Sequence, residues 1–167
     1  MLNAKSKQLP PPAAVETVIQ TLQTDLPTLF HKDISYDIYD PNISFQDPVN
    51  RFKGKFSYRI IFWTLRFHAR LFFTQIYFDL HQVKQDNDNT ICAEWTVRGT
   101  LRLPWKPNLF FNGYSIYHLN EQGLVDEHID TWDRPASEIL RQFFRKSSNE
   151  ENDLISYSLQ SLRLGLR

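Results

Sequence analysis

Residues 91–103, "ICAEWTVRGTLRL", alternate without a break. Ile91, Ala93, Trp95, Val97, Leu101 and Leu103 take one side, and Glu94, Thr96, Arg98, Thr100 and Arg102 take the other. A run of period two this long is a strand with one face on a core and the other toward solvent. Such a strand needs neighbours to be stable. "QIYFDLHQV" precedes it across the polar turn "KQDNDNT", and "LFFNGYSIYHLN" and "GLVDEHIDTW" follow, separated by the turn "NEQG". The loop "PWKPN" divides the alternating run from these last two strands. The second half of the chain is therefore expected to be a meander of antiparallel strands.

The first half reads as helix. Residues 1–11 are polar and proline-rich, a loose tail. Pro12 suits a first helical turn, and Val15, Val18, Ile19, Leu22 and Leu26 follow at helical spacing. Pro27 interrupts, with Asp25 placed to cap a second short helix. "DISYDIY" fits either a helical turn or an extended segment. "ISFQDP" reads as a short strand closed by Pro48. Between Gly54 and Phe73 there is no glycine or proline, and Phe56, Ile60, Trp63, Phe67 and Leu71 fall on one helical face. Trp63 and Phe67 of that face are expected to reach an internal hollow. Pro135 precedes a last helix, "ASEILRQFFRK". "SSNEEND" is a solvated linker to a tail, 147–167, with the makings of an amphipathic turn or two. One domain is expected over 12–146. The order is an α+β plan, a curved, mostly antiparallel sheet wrapped around N-terminal helices. A sheet curled over a long helix leaves a conical hollow.

A chain of 167 residues can bury roughly 70% of its unfolded surface in one core, so no staple is needed. Aromatic residues make up 14% of it, enough for a thick core or an aromatic-lined cavity. Nineteen basic residues balance nineteen acidic ones, which leaves no global field to hold nucleic acid. One cysteine, Cys92, excludes an intrachain disulfide and fits a reducing compartment. The first residues lack a signal-peptide apolar run, and no segment reaches the ~18 apolar residues of a membrane span. A soluble cytoplasmic or stromal protein is expected. Five histidines and one cysteine show no metal-ligand spacing, and no glycine-rich phosphate loop or serine elbow appears. No cofactor or metal is expected.

"DLPTLFHKDISYDIYDPNISFQDP", "LPWKP" with "NGYSIYHLNEQG", and "HIDTW" together resemble the domain-of-unknown-function 2358 family of cyanobacteria and chloroplasts. That family lies within the nuclear transport factor 2-like superfamily, the cone fold shared by SnoaL-type cyclases and ketosteroid isomerase. The resemblance implies that Asp47, in the Asp-Pro after the first strand, looks into the cone where the isomerase holds its general base. Two further groups of the isomerase are missing: the first helix has no tyrosine, and Ser115 occupies the position of the second aspartate. Asp130 and His128 resemble the last-strand residues of polyketide cyclases. The resemblance also implies a homodimer through the outer face of the sheet. The family's phototroph distribution implies a pigment, isoprenoid or lipid as ligand.

His128, Asp130 and Trp132 recur every second residue on the last strand and share one face. With Asp47 they would place two carboxylates and an imidazole in one aromatic enclosure, able to move a proton next to a carbonyl. The same trio could instead be polar lining for a ligand, or a satisfied core network with Asp47 capping its loop. Tyr39, Phe45, Trp63, Phe67, Trp95, Val97, Phe111, Ser115 and Trp132 are the expected walls. Three functions stay open: a binding module for a mostly apolar small molecule, a lyase or isomerase using Asp47, His128 and Asp130, and a protein-interaction module. For the last, Lys55, Arg59, Arg66 and Arg70 form a helical stripe around Phe62. The stripe is either a solvated face or a contact for an acidic partner, a phosphate-bearing ligand or an anionic membrane surface. Trp105, held between Pro104 and Pro107, is either a cavity rim, a partner contact or packed on its own domain.

Overall fold

The computed structural model describes residues 8–145; the tail expected after Ser147 lies outside them. The elements are α1 (Pro12–Asp25), two short 3-10 turns (Leu26–Thr28 and Tyr36–Ile38), β1 (Tyr39–Gln46), β2 (Arg51–Lys53), α2 (Lys55–Phe72), β3 (Phe73–Asn87), β4 (Thr90–Leu101), β5 (Asn108–Leu119), β6 (Val125–Trp132) and α3 (Ala136–Gln142). The strands form one sheet in the order β2-β1-β6-β5-β4-β3. All neighbours are antiparallel except β1 and β6. The sheet is curved and does not close, so the molecule is an α+β cone. Three register shifts between β3 and β4 accompany the bend of that long ribbon.

The alternation read in β4 holds as far as Leu101 for the residues assigned to its two sides, with one exception, Thr96, which is buried on the outer face between its bonds to His81 and Asn112. Ile91, Ala93, Trp95, Val97 and Leu101 are buried, while Glu94 and Arg98 are exposed. The outer face is polar: Arg98 pairs with Asp79 at 2.5 Å and lies over the Tyr77 ring, and Lys84 reaches Glu94 at 3.6 Å. On the inner face Trp95 sits across from Gly113 of β5. A Cβ at Gly113 would collide with the Trp95 ring, so only glycine lets the indole lie flat on the sheet. The inner face packs against Val15, Val18 and Leu22 of α1 and the buried side of α2.

One expectation is corrected and one open alternative is resolved. Asp25 makes no cap to the turn after it; its Oδ2 accepts the Ser35 N–H at 2.7 Å and ties the following loop to the end of α1. The "DISYDIY" stretch is a 3-10 turn running straight into β1.

The larger correction concerns α2. The helix starts after Gly54, whose φ of 94° is a glycine conformation, and runs directly into β3. Its buried residues are Tyr58, Phe62, Arg66 and Ala69, not the apolar row read from the sequence. Phe56, Ile60, Trp63, Phe67 and Leu71 all face outward. Arg66, expected on a solvated or partner-facing stripe, is buried and paired through Nη2 with Asp33 at 2.7 Å. Arg59 lies over the Tyr36 ring, 4.9 Å from its centroid, and Arg70 donates to the His31 carbonyl at 3.3 Å. These arginines bind the loop between α1 and β1. Lys55, beside Gly54, is half-buried.

Candidate functional site

β6 supplies three inward side chains from one face: His128, Asp130 and Trp132, all lining a single cavity of about 320 Å³. The strand's period of two puts them there, and pairing with β1 and β5 holds its register: His128 lies beside Phe45 on one side and Tyr117 on the other. Phe45, Trp95, Val97, Phe111 and Ser115 form further wall. α2 closes one side with Ile61, Phe62, Thr64, Leu65 and His68, and Leu29 and Phe30 close the end. The lining is mostly apolar.

The polar groups form one chain of hydrogen bonds. Tyr58 Oη lies 2.7 Å from His128 Nδ1, and His128 Nε2 lies 2.8 Å from Asp130 Oδ1. Ser115 Oγ donates to the same Oδ1 at 2.5 Å, and Trp95 Nε1 donates to Ser115 Oγ at 2.8 Å. Burial pushes the Tyr58 hydroxyl well above the usual tyrosine range, and the Asp130 charge adds to it. Tyr117, stacked on His128 at 4.3 Å, is raised for the same reason. The Asp130 carboxylate only accepts, so Nε2 carries a proton toward it; in the neutral imidazole Nδ1 is then the acceptor of the Tyr58 hydroxyl. Both hydrogen bonds to Asp130 fall on Oδ1. Among the described residues no donor reaches Oδ2, on a residue that lines the cavity.

The other expected site residues are placed as follows. Asp47 borders the cavity, but its carboxylate faces its own loop: Oδ1 accepts the N–H groups of Val49 at 2.7 Å and Asn50 at 2.5 Å, and Oδ2 accepts Asn50 Nδ2 at 3.0 Å. It closes the turn between β1 and β2, as a short acidic side chain does in such turns. Tyr39 is buried behind the cavity wall, its ring 4.8 Å from that of Tyr58. Trp63 and Phe67 are outside, on the exposed side of α2. Trp105 is partly exposed and bonded through Nε1 to the Phe143 carbonyl at 2.9 Å, which holds the β4–β5 loop on the end of α3.

Tyr58 is the residue that sequence reasoning missed. Its signal was the spacing of 58, 62, 66 and 69, a helical row interrupted in character by one arginine. The longer, purely apolar row beside it obscured that pattern.

The family profile described as "Uncharacterized conserved protein (DUF2358)" matches residues 16–128. The chain belongs to this family. The "Uncharacterized protein C6orf136 homolog" of Rattus norvegicus is 30% identical over 122 residues, covering 65% of this chain and 71% of that one. Among solved structures, an NTF2-like protein of unknown function from Cytophaga hutchinsonii ATCC 33406 superposes with a TM-score of 0.56 at 14% identity, over 71% of this chain and 98% of that one. SalBIII, an epoxide hydrolase/cyclase-like enzyme with a role in pyran ring formation in polyether salinomycin, superposes with a TM-score of 0.53 at 13% identity, over 72% and 90%. At such identities the likeness is one of fold alone: this DUF2358 protein has the cone fold of the NTF2-like structures. No helix among the described residues is long and apolar enough to cross a membrane.

Proposed function

We propose that this DUF2358 protein binds a mostly apolar small molecule in the cone and anchors it through Asp130 Oδ2. The observation that carries this reading is a lone unbonded carboxylate oxygen in a mostly apolar cavity. Such a site holds a hydrocarbon body by burial and fixes its orientation through one hydrogen-bond donor, a hydroxyl or N–H. The volume, about 320 Å³, sits at the small end of ligand cavities. It suits a short isoprenoid alcohol, a fatty-acyl chain or a small ring system better than a tetrapyrrole. The His128 and Ser115 bonds at Oδ1 hold the carboxylate still, so little ordering remains when a ligand arrives.

The test is binding of farnesol against its methyl ether, together with mass spectrometry of what the protein carries from its native source. Wild type is expected to prefer the alcohol. In Asp130→Asn the amide oxygen takes over the bonds from His128 and Ser115 and its NH₂ faces the cavity, so an acceptor becomes a donor and the preference disappears. Equal binding of both compounds by wild type, with no ligand in the native preparation, refutes the reading.

A second reading has its own observation, the unbroken relay Tyr58–His128–Asp130. In it the free Asp130 oxygen takes a proton from carbon: the C–H bond breaks, an O–H bond forms, and the electron pair stays on the substrate as an enolate. That SalBIII, of the same fold, is an epoxide hydrolase/cyclase-like enzyme is consistent with such chemistry in a cone. Asp47 then serves the loop and Asp130 alone is the base. Deuterium uptake from heavy water into a bound carbonyl compound, lost in Asp130→Asn, distinguishes this from binding alone.

A further inference from the structure

The apolar row of α2 faces away from the protein, and no described element covers it. Phe56 is 77% exposed, Trp63 59% and Phe67 49%, with Ile60 and Leu71 alike. The five lie within about 80° of arc and extend about 22 Å along the helix. Trp63 and Phe67 stack flat, 5.5 Å apart and 10° from parallel. An exposed apolar row of this size marks a contact surface.

Its two borders decide what it contacts. One is cationic: Lys55, Arg59, Arg66 and Arg70, on a helix with no acidic residue at all. Asp33 neutralises Arg66, and among the described residues no carboxylate pairs with Lys55, Arg59 or Arg70 along the row. A shallow cleft lined by Arg59, Arg66 and Asp33 opens beside Ile60 and Trp63, and Arg66 Nη1 in it has no hydrogen-bond partner. The other border is the cavity wall: Thr64, Leu65 and His68 are exposed or half-exposed and line the cone. A second copy on this face would bring together two helices without a carboxylate between them, and like charge opposes that. An anionic bilayer satisfies every part: its interface takes the aromatic row, its phosphates take the cations, and it lies over the side of the cone.

We propose that α2 docks this protein on an anionic lipid surface, with Phe56, Ile60, Trp63, Phe67 and Leu71 in the interface and Lys55, Arg59 and Arg70 at the headgroups. The proposal goes beyond the ligand reading and does not rest on it.

The experiment is flotation of the full chain with phosphatidylcholine vesicles, with and without about 30% phosphatidylglycerol, at low and raised salt. Partition is expected on the anionic vesicles and is expected to fall as salt rises. Trp63→Ser with Phe67→Ser is expected to lower it at least about tenfold, with the melting temperature unchanged because neither ring is in the core. Brominated lipids are expected to quench wild-type fluorescence, and Trp63→Phe to lose most of that quenching while still binding. Absence of partition at low salt overturns the proposal, as does partition that survives the double serine variant. So does a wild-type dimer that the double variant turns into monomer, or a Trp63 shielded from aqueous acrylamide before any lipid is added, since each shows the face already covered. The farnesol comparison reads the cavity separately, so either idea can fail alone.

Discussion

Tyr58→Phe removes one oxygen from the centre of the molecule and leaves the ring in place. The ring stays packed between Tyr39 at 4.8 Å and Phe62 at 4.9 Å, so no cavity larger than a hydroxyl opens. What is lost is the donor at His128 Nδ1, together with the hydroxyl's bond to Tyr39. His128 is 3% exposed, and water cannot replace that donor without a rearrangement. A tautomer change does not rescue the ring. Its Nε2 must donate to the Asp130 carboxylate, so in the neutral form Nδ1 is always the acceptor. Protonating His128 only turns Nδ1 into a donor with no acceptor. The cost is that of a buried, unsatisfied nitrogen, about 2 kcal/mol. For a domain of this size, that lowers the melting temperature by roughly 4–8 °C. Calorimetry of the pure variant measures it, and long-range proton–nitrogen spectra of wild type show which imidazole nitrogen carries the proton, expected to be Nε2. Asp130→Asn in the Tyr58→Phe background is expected to be non-additive by about 0.5–3 kcal/mol, because both act through one imidazole. A variant that melts with wild type, or a wild-type His128 protonated at Nδ1 alone, would refute the relay.

Other changes read other parts of the fold. Gly113→Ala puts a methyl group where the Trp95 ring lies and pulls the indole off Ser115; overpacking and the lost bond together are expected to cost about 2–4 kcal/mol and to shift tryptophan emission. Asp47→Ala is expected to cost about 1 kcal/mol through the β1–β2 loop while leaving farnesol binding unchanged, and loss of binding would return Asp47 to the site. Tyr39, Tyr58 and Tyr117 have hydroxyls raised by burial above the ordinary 10.0. A group raised on folding stabilises the native state below its unfolded value and loses that contribution as pH climbs toward the folded one. Stability is therefore expected to be flat across neutral pH in this respect and to fall above pH 10.0, with these tyrosines ionising only as the chain unfolds, followed by absorbance near 295 nm. Their ionisation before the loss of helix signal would contradict their burial.

The strands were legible because period two leaves no alternative. Once "ICAEWTVRGTLRL" is a strand, its neighbours follow, and alternation puts His128, Asp130 and Trp132 on one face; that this face turns into the cone was implied by the family resemblance. Pairing with β1 and β5 then places His128 between Phe45 and Tyr117, a detail that alternation alone does not supply. Asp47 was legible only in part. Its position at the end of β1 could be read from the Asp-Pro, but the direction of its carboxylate depends on the backbone of residues 47–50, which closes on itself through Asn50. Sequence pattern does not encode that closure. Tyr58 needed the correct helical face, and that face was misread.

The misreading of α2 has a physical cause. The spacing of apolar residues shows that a helix has two unlike faces, but not which one the protein buries. The usual inference assumes that the greasier face must leave water. Here the face that goes inside contains an arginine, made tolerable by the Asp33 carboxylate 2.7 Å away, and a tyrosine whose hydroxyl is taken up by His128. Had the row of Phe56, Trp63 and Phe67 turned inward instead, two phenyl rings and an indole would have entered the cone beside Trp95, Phe111 and Trp132, and His128 would have lost its donor. The observed orientation keeps the cavity open and its polar chain complete, at the cost of leaving five large apolar side chains in water. In a chain that can bury most of its apolar surface, that exposure is a conflict between local pattern and global fold. Such conflicts concentrate where function imposes a second demand. The inward face answers to the cavity, and the outward face to whatever surface the helix meets.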